Sequence, residues 1–250
     1  MDELELTGAD GAALGTAHVD PDEVPFPRAV VHVPPDGLVA DLADAALAAL
    51  PGHRLIVDSA ALAEALVERG LTVVRAASIM ALSLPVPSPG ATVPDVELQP
   101  LQDTPDEYGE VMRRAYPPDH PDHEPGDATP EGAAATIRGY LSGEIVGPVI
   151  AEASAEARLD GALAGVNVVS EMPTDDDFEG GPWITDLFVD PSAQGRGVGK
   201  ALLGHAIEQL TALGRPNLGL AVTLGNPARG LYEALGFVVL GTRWNLVDER

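Results

Sequence analysis

The sequence predicts a fold of the α/β or α+β class, because strand-like and helix-like stretches alternate along most of the chain. Its 250 residues, of which 45% are hydrophobic, are enough for one or two domains with a core of their own. Several prolines lie between Leu84 and Pro100, at a density that helices and central strands do not tolerate. We therefore expect an additional, smaller N-terminal α/β domain of residues 1–93 and a C-terminal domain of residues 94–250.

The N-terminal domain shows the order strand, helix, strand, helix, strand. Asp36 is expected to cap the first helix, which runs to about Leu50, and Gly70 is expected to end the second in a left-handed conformation. The predicted elements are a strand at 28–33, a helix at 36–50, a strand at 53–58, a helix at 60–69 and one or two strands within 71–84.

The C-terminal domain continues the alternation in a longer series. The helix that follows Val198 has the clearest pattern, because its apolar residues recur at spacings of three and four. A turn is expected at Asp160-Gly161 between two consecutive strands. The predicted elements are strands at 95–101, 149–157, 161–170, 183–189 and 218–223, helices at 106–116, 130–142, 195–213 and 227–235, and a final strand pair within 237–247.

Composition excludes several classes of function. Lys and Arg total 14 against 39 Asp and Glu, a net charge of −25, so the surface repels nucleic acids and anionic membranes. Without cysteine there are no disulfides, thiolate metal sites or cysteine nucleophiles. The acidic start of the chain lacks the basic stretch of a secretory signal, and no apolar run reaches the length of a spanning helix. We therefore expect a cytoplasmic protein.

The segment 190–200, with the sequence DPSAQGRGVGK, lies between a predicted strand and the clearest helix. Alternate glycines let backbone amides approach a ligand, and the first turn of a helix offers unpaired N–H groups. Arg196 and Lys200, the only lysine, add positive charge. A Walker A loop is excluded because Gln194 and Ala201 occupy two of its required positions, and the glycine spacing does not fit a dinucleotide fingerprint. The pattern predicts a cradle for a pyrophosphate.

The same segment resembles motif A of the GCN5-related N-acetyltransferase (GNAT) superfamily, [Gln/Arg]-x-x-Gly-x-[Gly/Ala], through Gln194, Gly197 and Gly199. Downstream, the sequence NPARGLYEALGF at 226–237 resembles motif B of that family. The resemblance covers roughly residues 95–249. It implies the GNAT acyl-CoA N-acyltransferase fold. This is an α+β fold with a three-layer α/β arrangement, in which helices flank a mixed central sheet.

The resemblance implies an N-acetyltransferase that moves the acetyl group of acetyl-CoA directly to a primary amine in a ternary complex. The strand that ends at Val189 and the strand that starts near Leu218 should diverge and admit the pantetheine arm. Tyr232 matches the family's usual general acid, and Asp186 stands where several members carry a glutamate base. The implied coenzyme contacts are Leu187, Phe188, Val189, Gln194, Gly195, Arg196, Gly197, Val198, Gly199, Lys200 and Asn226.

Other interpretations of these residues stay open at this point. The alternatives are a packed core role for Tyr232 and a helix N-cap role for Asn226, which can coexist with coenzyme contact. For Asp186 they are an acceptor-orienting carboxylate or a strand residue whose polar atoms are satisfied. The acidic loops 116–124 and 171–179 would attract a cationic amine or simply face water. The acceptor class, a small-molecule or peptide amine, and the formation of a homodimer are left open. A non-catalytic acyl-CoA sensor or amine-binding protein is the alternative function.

A histidine pair and the N-terminal domain also bear on function. His120 and His123, with the aspartates beside them, have the residue types of a metal site, but no helix fixes their spacing and no metal is expected. In the N-terminal domain, Leu66 falls at the position that corresponds to Tyr232. We therefore interpret residues 1–93 as a degenerate GNAT-like half-domain or an accessory domain without a second active site.

Overall fold

A computed structural model describes residues 2–21, 27–34, 37–86, 93–174 and 179–248. The chain divides into two compact units, one of Met1–Ile79 with Val239–Arg250 and one of Met80–Val238. The sequence analysis placed a single boundary after residue 93. The difference arises because the last strand of the chain pairs inside the first unit, and proline content carries no information about such long-range pairing.

The first unit is a sheet with two helices packed on it. Its strand order is β1-β2-β3-β4-β11-β5, with β3 and β4 parallel and the pairs β1-β2, β2-β3 and β4-β11 antiparallel. Its core includes Leu42, Leu62 and Leu66, which are fully buried. Its elements are β1 (Asp2–Thr7), β2 (Ala13–Asp20), β3 (Arg28–His32), α1 (Val39–Ala49), β4 (Arg54–Val57), α2 (Ala60–Glu68), β5 (Thr72–Ser83, shared with the second unit) and β11 (Val238–Val247).

The structure of this unit differs from the sequence prediction in some places and agrees with it in others. The hairpin β1-β2 was not predicted, although the alternating Leu and Glu of DELELT is a strand pattern. The first helix begins at Val39 after Leu38, which makes no side-chain capping bond, and Asp36 lies outside the described residues. Gly70 is left-handed as predicted, with φ +99°. The region 71–84 forms the single strand β5.

The second unit has the three layers of the predicted fold. Its strands follow the order β10-β9-β8-β7-β6, in which β10 and β9 are parallel and the others antiparallel, so the sheet is mixed. Its elements are β6 (Val96–Gln99), α3 (Pro105–Ala115), α4 (Pro130–Ser142), β7 (Ala155–Leu159), β8 (Ala162–Met172), β9 (Gly181–Val189), α5 (Val198–Ala212), β10 (Asn217–Thr223) and α6 (Arg229–Ala234).

Helices cover both faces of this sheet. On one face, Val111 of α3 and Ile137 of α4 pack against Val168 and Phe188 of the strands. On the other face, Leu202 of α5 packs with small residues of β7 and β8. This arrangement confirms the predicted α+β fold class. No helix within the described ranges is long and apolar enough to cross a membrane.

Several boundaries in this unit differ from the sequence prediction. The strand expected at 149–157 begins only at Ala155; before it, Val149 forms an isolated bridge with Ser170, and the Ser154 hydroxyl accepts the Val169 N–H at 2.9 Å. The expected strand pair within 237–247 is the one strand β11, in which Gly241 keeps a strand conformation and makes no turn. The predicted turn at Asp160-Gly161 is confirmed, with φ values of +51° and +79°.

Candidate active site

A cleft opens between the second halves of β9 and β10. Within the described residues, the strand pairing between β9 and β10 consists of the one pair Trp183 and Gly219, so the two strands do not continue as a ladder beyond it. The register of β9 against β8 shifts by one residue at Thr185, and such a bulge bends a strand. At the closed end, a Cβ on Gly219 would lie 2.6 Å from the Trp183 ring, which explains why a glycine stands there. The predicted divergence of these strands is confirmed.

The backbone of β9 offers hydrogen-bonding groups to this cleft. Asp190 N–H donates to Ala164 O of the β8 segment at 2.9 Å. Because partners alternate along an antiparallel strand, Phe188 also directs its backbone groups to β8, while Leu187 and Val189 direct theirs away from β8. On that side Leu187 O accepts the Tyr116 hydroxyl at 3.1 Å and Val189 O accepts Gln194 Nε2 at 3.3 Å. The contact of Leu187 and Val189 with the coenzyme stays a prediction that this orientation permits. Phe188 does not have this orientation, and its side chain is buried against α3 and α4 instead.

The glycine-rich loop forms an array of unpaired amides at the start of α5. The helix begins at Val198, later than predicted, because Gly195 and Gly197 both adopt left-handed conformations, with φ +74° and +85°. The first backbone bond into this helix is Ala201 N–H to Gly197 O, at 2.9 Å. The amides that find no acceptor in the described part of the chain are those of Gly195, Gly197, Val198, Gly199 and Lys200.

The side chains around this loop leave the amides accessible. Gln194, Arg196 and Lys200 are exposed, and Gln194 Nε2 donates to Val189 O at 3.3 Å. A Cβ on Gly197 would lie 3.1 Å from the Val93 side chain, whereas a Cβ on Gly195 would meet nothing. Two exposed cationic side chains next to free helix amides are the chemistry that binds a phosphate group.

Asp186 lies on β9 beside the cleft and is bonded by a tyrosine that ends α3. Its Oδ1 lies 2.7 Å from the Tyr116 hydroxyl, which donates the hydrogen bond. Burial raises the pKa of Asp186 to about 7; the Tyr116 hydrogen bond lowers this pKa, and the negative charges of Asp122 and Asp127 raise it. Asp186 can therefore gain or lose a proton near neutral pH, as a general base requires.

Tyr232 of α6 is buried close to the same carboxyl group. Its ring packs edge-to-face on Phe237, with ring centroids 5.7 Å apart. Its hydroxyl makes no hydrogen bond to any residue within the described ranges. Burial raises the pKa of Tyr232 above its ordinary value, and the charges of Asp186 and Asp122 raise it further. The phenol therefore stays protonated and has a proton to give.

The loop 116–124 contacts the second strand of the cleft as well as the first. Both carboxylate oxygens of Asp122 accept hydrogen bonds, one from Thr223 Oγ1 and the other from Asn226 Nδ2. Asn226 Oδ1 accepts the Ala228 N–H at 2.7 Å, which is the capping role considered for it. His123 Nδ1 lies 2.9 Å from Tyr116 O.

These contacts bear on the metal-site alternative. Asp122 N–H donates to His120 Nδ1 at 3.1 Å, so this ring nitrogen, like the Asp122 carboxylate, has a partner within the protein. Among the residues that the structure describes, no group of three or more His, Asp or Glu side chains is arranged to hold a metal ion. The second acidic loop lies partly outside the described residues, because 175–178 are not among them.

Sequence reasoning missed the site contacts made by Tyr116, Asp122 and Thr223. Tyr116 stands at the end of a predicted helix and Asp122 in a predicted acidic loop, so both were visible as residue types. Their roles depend on the path of a proline-containing loop across the sheet, and no periodic pattern encodes that path.

Comparison with known proteins shows the family of the chain and its fold. The model of the Acetyltransferase (GNAT) family matches residues 109–237, just over half of the chain. The chain belongs to this family. A stretch of 53 residues is 45% identical to the [ribosomal protein bS18]-alanine N-acetyltransferase of Escherichia coli K12 and covers 21% of this chain. It spans only 36% of the length of that relative.

Two solved structures resemble nearly the whole chain. A GCN5-related N-acetyltransferase from Sphaerobacter thermophilus has a TM-score of 0.63 at 18% identity, covering 98% of this chain and 79% of that one. A protein from Staphylococcus epidermidis, described as functionally unknown, has a TM-score of 0.64 at 12% identity and covers 100% and 95%. At these identities the likeness concerns the fold.

Proposed function

We propose that this protein transfers the acetyl group of acetyl-CoA to a primary amine in a ternary complex, without a covalent enzyme intermediate. The observation that carries the proposal is the cleft between β9 and β10, which has unpaired helix amides near one end and Asp186 and Tyr232 beside it. Membership of the GNAT family supports the choice of acetyl-CoA as acyl donor.

The free amides would hold the coenzyme's pyrophosphate. Gly195 and the residues from Gly197 to Lys200 supply N–H groups, and Arg196 and Lys200 supply positive charge. The pantetheine amides would pair with the cleft-facing backbone of Leu187 and Val189, as an added strand pairs with a sheet edge. Asn226 would contact pantetheine or a bound water through the Nδ2 hydrogen that Asp122 does not accept.

The acceptor ammonium must lose a proton before its nitrogen can attack, and Asp186 would take that proton. The nitrogen then bonds to the thioester carbon, and the Val189 N–H would stabilise the negative charge that forms on the oxygen. When the C–S bond breaks, Tyr232 would protonate the departing thiolate and recover a proton from the second N–H of the attacking nitrogen. Asp186 releases its proton to solvent, which balances the reaction.

A cationic acceptor fits the electrostatics of this site. Asp122 and Asp127 both raise the pKa of Asp186, which places three carboxyl groups within electrostatic range of one another. The net charge of −25 adds a general attraction for cations. Small-molecule and peptide amines both belong to this class; the bS18-alanine N-acetyltransferase relative acts on a ribosomal protein.

The first unit would serve as an accessory, GNAT-like unit without chemistry of its own. It runs strand, helix, strand, helix, strand from β3 to β5. In place of a glycine-rich loop it has the sequence PPDG at 34–37. At the position that corresponds to Tyr232 it has Leu66, which is fully buried. These features support the interpretation that this unit holds no second active site.

The proposed base predicts the pH dependence of the reaction. The folded-state pKa of Asp186 is raised to about 7, and only the ionised carboxylate accepts a proton. We expect kcat/KM for an amine to rise with pH up to about 7. Above that pH, kcat/KM should reach a plateau for an amine whose own deprotonation causes no second rise. The Asp186→Asn variant should lose this limb together with most of the rate; an unchanged profile in that variant would exclude Asp186 as the base.

The function itself is tested by release of free CoA from acetyl-CoA in the presence of a panel of small-molecule and peptide amines. We expect thiol release that depends on one class of amine, together with binding of acetyl-CoA by calorimetry. Binding of acetyl-CoA without thiol release for any amine would indicate the non-catalytic sensor instead. Absence of binding would contradict both functions.

A further inference from the structure

The Tyr116 hydroxyl has two acceptors and one hydrogen. It lies 2.7 Å from Asp186 Oδ1 and 3.1 Å from Leu187 O, both of which belong to β9. A phenol O–H donates one hydrogen bond at a time, and its oxygen can accept another. The two contacts therefore correspond to two hydrogen-bonded states of the same three groups.

The surroundings fix the Tyr116 ring in this position. Its centroid lies 4.9 Å from that of His120 and 6.4 Å from that of Phe188, which it meets edge-on. The backbone of Tyr116 caps the end of α3, and its carbonyl oxygen is bonded by His123. A ring held on three sides keeps its hydroxyl at Asp186 without a large entropic cost.

We propose that Tyr116 is a positioning residue that holds the Asp186 carboxyl group in both of its protonation states. The proposal rests on the proposed function, in which Asp186 receives the acceptor's proton. With Asp186 ionised, the phenol donates to the carboxylate. With Asp186 protonated, the carboxyl O–H donates to the phenol oxygen, and the phenol hydrogen turns to Leu187 O. In both states Asp186 and Tyr116 share a hydrogen bond, and only the hydrogen bond to Leu187 O is made or lost, so the carboxyl group need not move during turnover.

The carboxylates that face Asp186 change its pKa in a direction opposite to that of the Tyr116 hydrogen bond. Asp122 in the loop and Asp127 in the short 3-10 helix before α4 disfavour a charged Asp186, and both are negative. His120 and His123 contact Tyr116, and the neutral phenol of Tyr232 lies on the α6 side. The Tyr116 hydrogen bond favours the ionised carboxyl group, so its removal has a defined sign: the pKa of Asp186 should rise.

The test measures the titration of Asp186 directly, in addition to the rate. Carboxyl carbon NMR of protein labelled with ¹³C-aspartate follows the titration, and the Asp186→Asn variant identifies the signal. In Tyr116→Phe we expect the Asp186 pKa and the acid limb of kcat/KM to move up together by about one pH unit. Site-specific 3-fluorotyrosine at position 116, a stronger donor, should move both in the opposite direction. Tyr140→Phe, a change of the same size in the same core cluster, should move neither.

The outcomes separate this inference from the proposed function. An Asp186 titration that is the same in wild type, Tyr116→Phe and the 3-fluorotyrosine protein would overturn the inference, whatever the rates are. Shifts of the expected signs in a wild type that acetylates no amine would uphold the hydrogen-bond role and contradict the proposed function. Because the fluorinated protein keeps the phenol, it remains informative if Tyr116→Phe fails to fold.

Discussion

Replacing Tyr232 with phenylalanine is expected to lower kcat by about a hundredfold or more, with a change of less than about twofold in the affinity for acetyl-CoA. The phenol is buried beside Asp186, and its hydroxyl has no other partner among the described residues, so its removal takes away a proton donor and no bond that holds the fold. Steady-state kinetics and calorimetry measure the two quantities separately.

Tyr140→Phe is the matched control for this prediction, because it removes a hydroxyl from α4 on the other side of the sheet. It should keep the wild-type kcat. A Tyr232→Phe variant that turns over at the wild-type rate would remove Tyr232 from the mechanism. Equal loss of coenzyme affinity and kcat would instead assign Tyr232 to the packing of the coenzyme site.

Replacing Gly197 with glutamate is expected to weaken acetyl-CoA binding by about a hundredfold or more. Three effects act together: φ is +85°, which strains any side-chain-bearing residue; a Cβ would press on Val93 at 3.1 Å; and a carboxylate would compete with the pyrophosphate for the same amides. Calorimetry with acetyl-CoA measures the loss.

Two variants separate these effects. Gly197→Ala keeps the strain without the charge and should lose only part of the affinity. Gly214→Glu places the same residue at another left-handed glycine, with φ +67° and no atom within 4 Å of its Cβ, beyond the opposite end of α5. It should bind acetyl-CoA like the wild type. Normal binding by Gly197→Glu would show that this loop does not hold the coenzyme.

Features fixed by local sequence could be predicted well. The loop at 194–200, the helix that follows Val198 and the turn at Asp160-Gly161 depend on glycine conformation and on helical periodicity, and both can be read within a short window. The helix at 130–142 was predicted with the bounds that α4 has, because a proline begins it and Gly143 ends it in a left-handed conformation.

Features that depend on distant pairing could not be predicted. The region 237–247 was expected to hold a strand pair, yet it forms the one strand β11, whose Trp244–Leu246 stretch pairs with β4 from the first part of the chain. The orientation of Phe188 follows from the register of β9 against β8, which only the folded sheet defines. The bond between Tyr116 and Asp186 joins residues 70 positions apart and required the folded loop.

The proposed coenzyme site is tested by a crystal structure of the protein with bound acetyl-CoA. We expect the pyrophosphate to lie within hydrogen-bonding distance of the amides from Gly197 to Lys200. We also expect the pantetheine arm to lie between β9 and β10, with the thioester oxygen at the Val189 N–H. A coenzyme bound elsewhere on the chain, or two strands that close against each other with the amides occupied by the protein's own side chains, would contradict the proposed site.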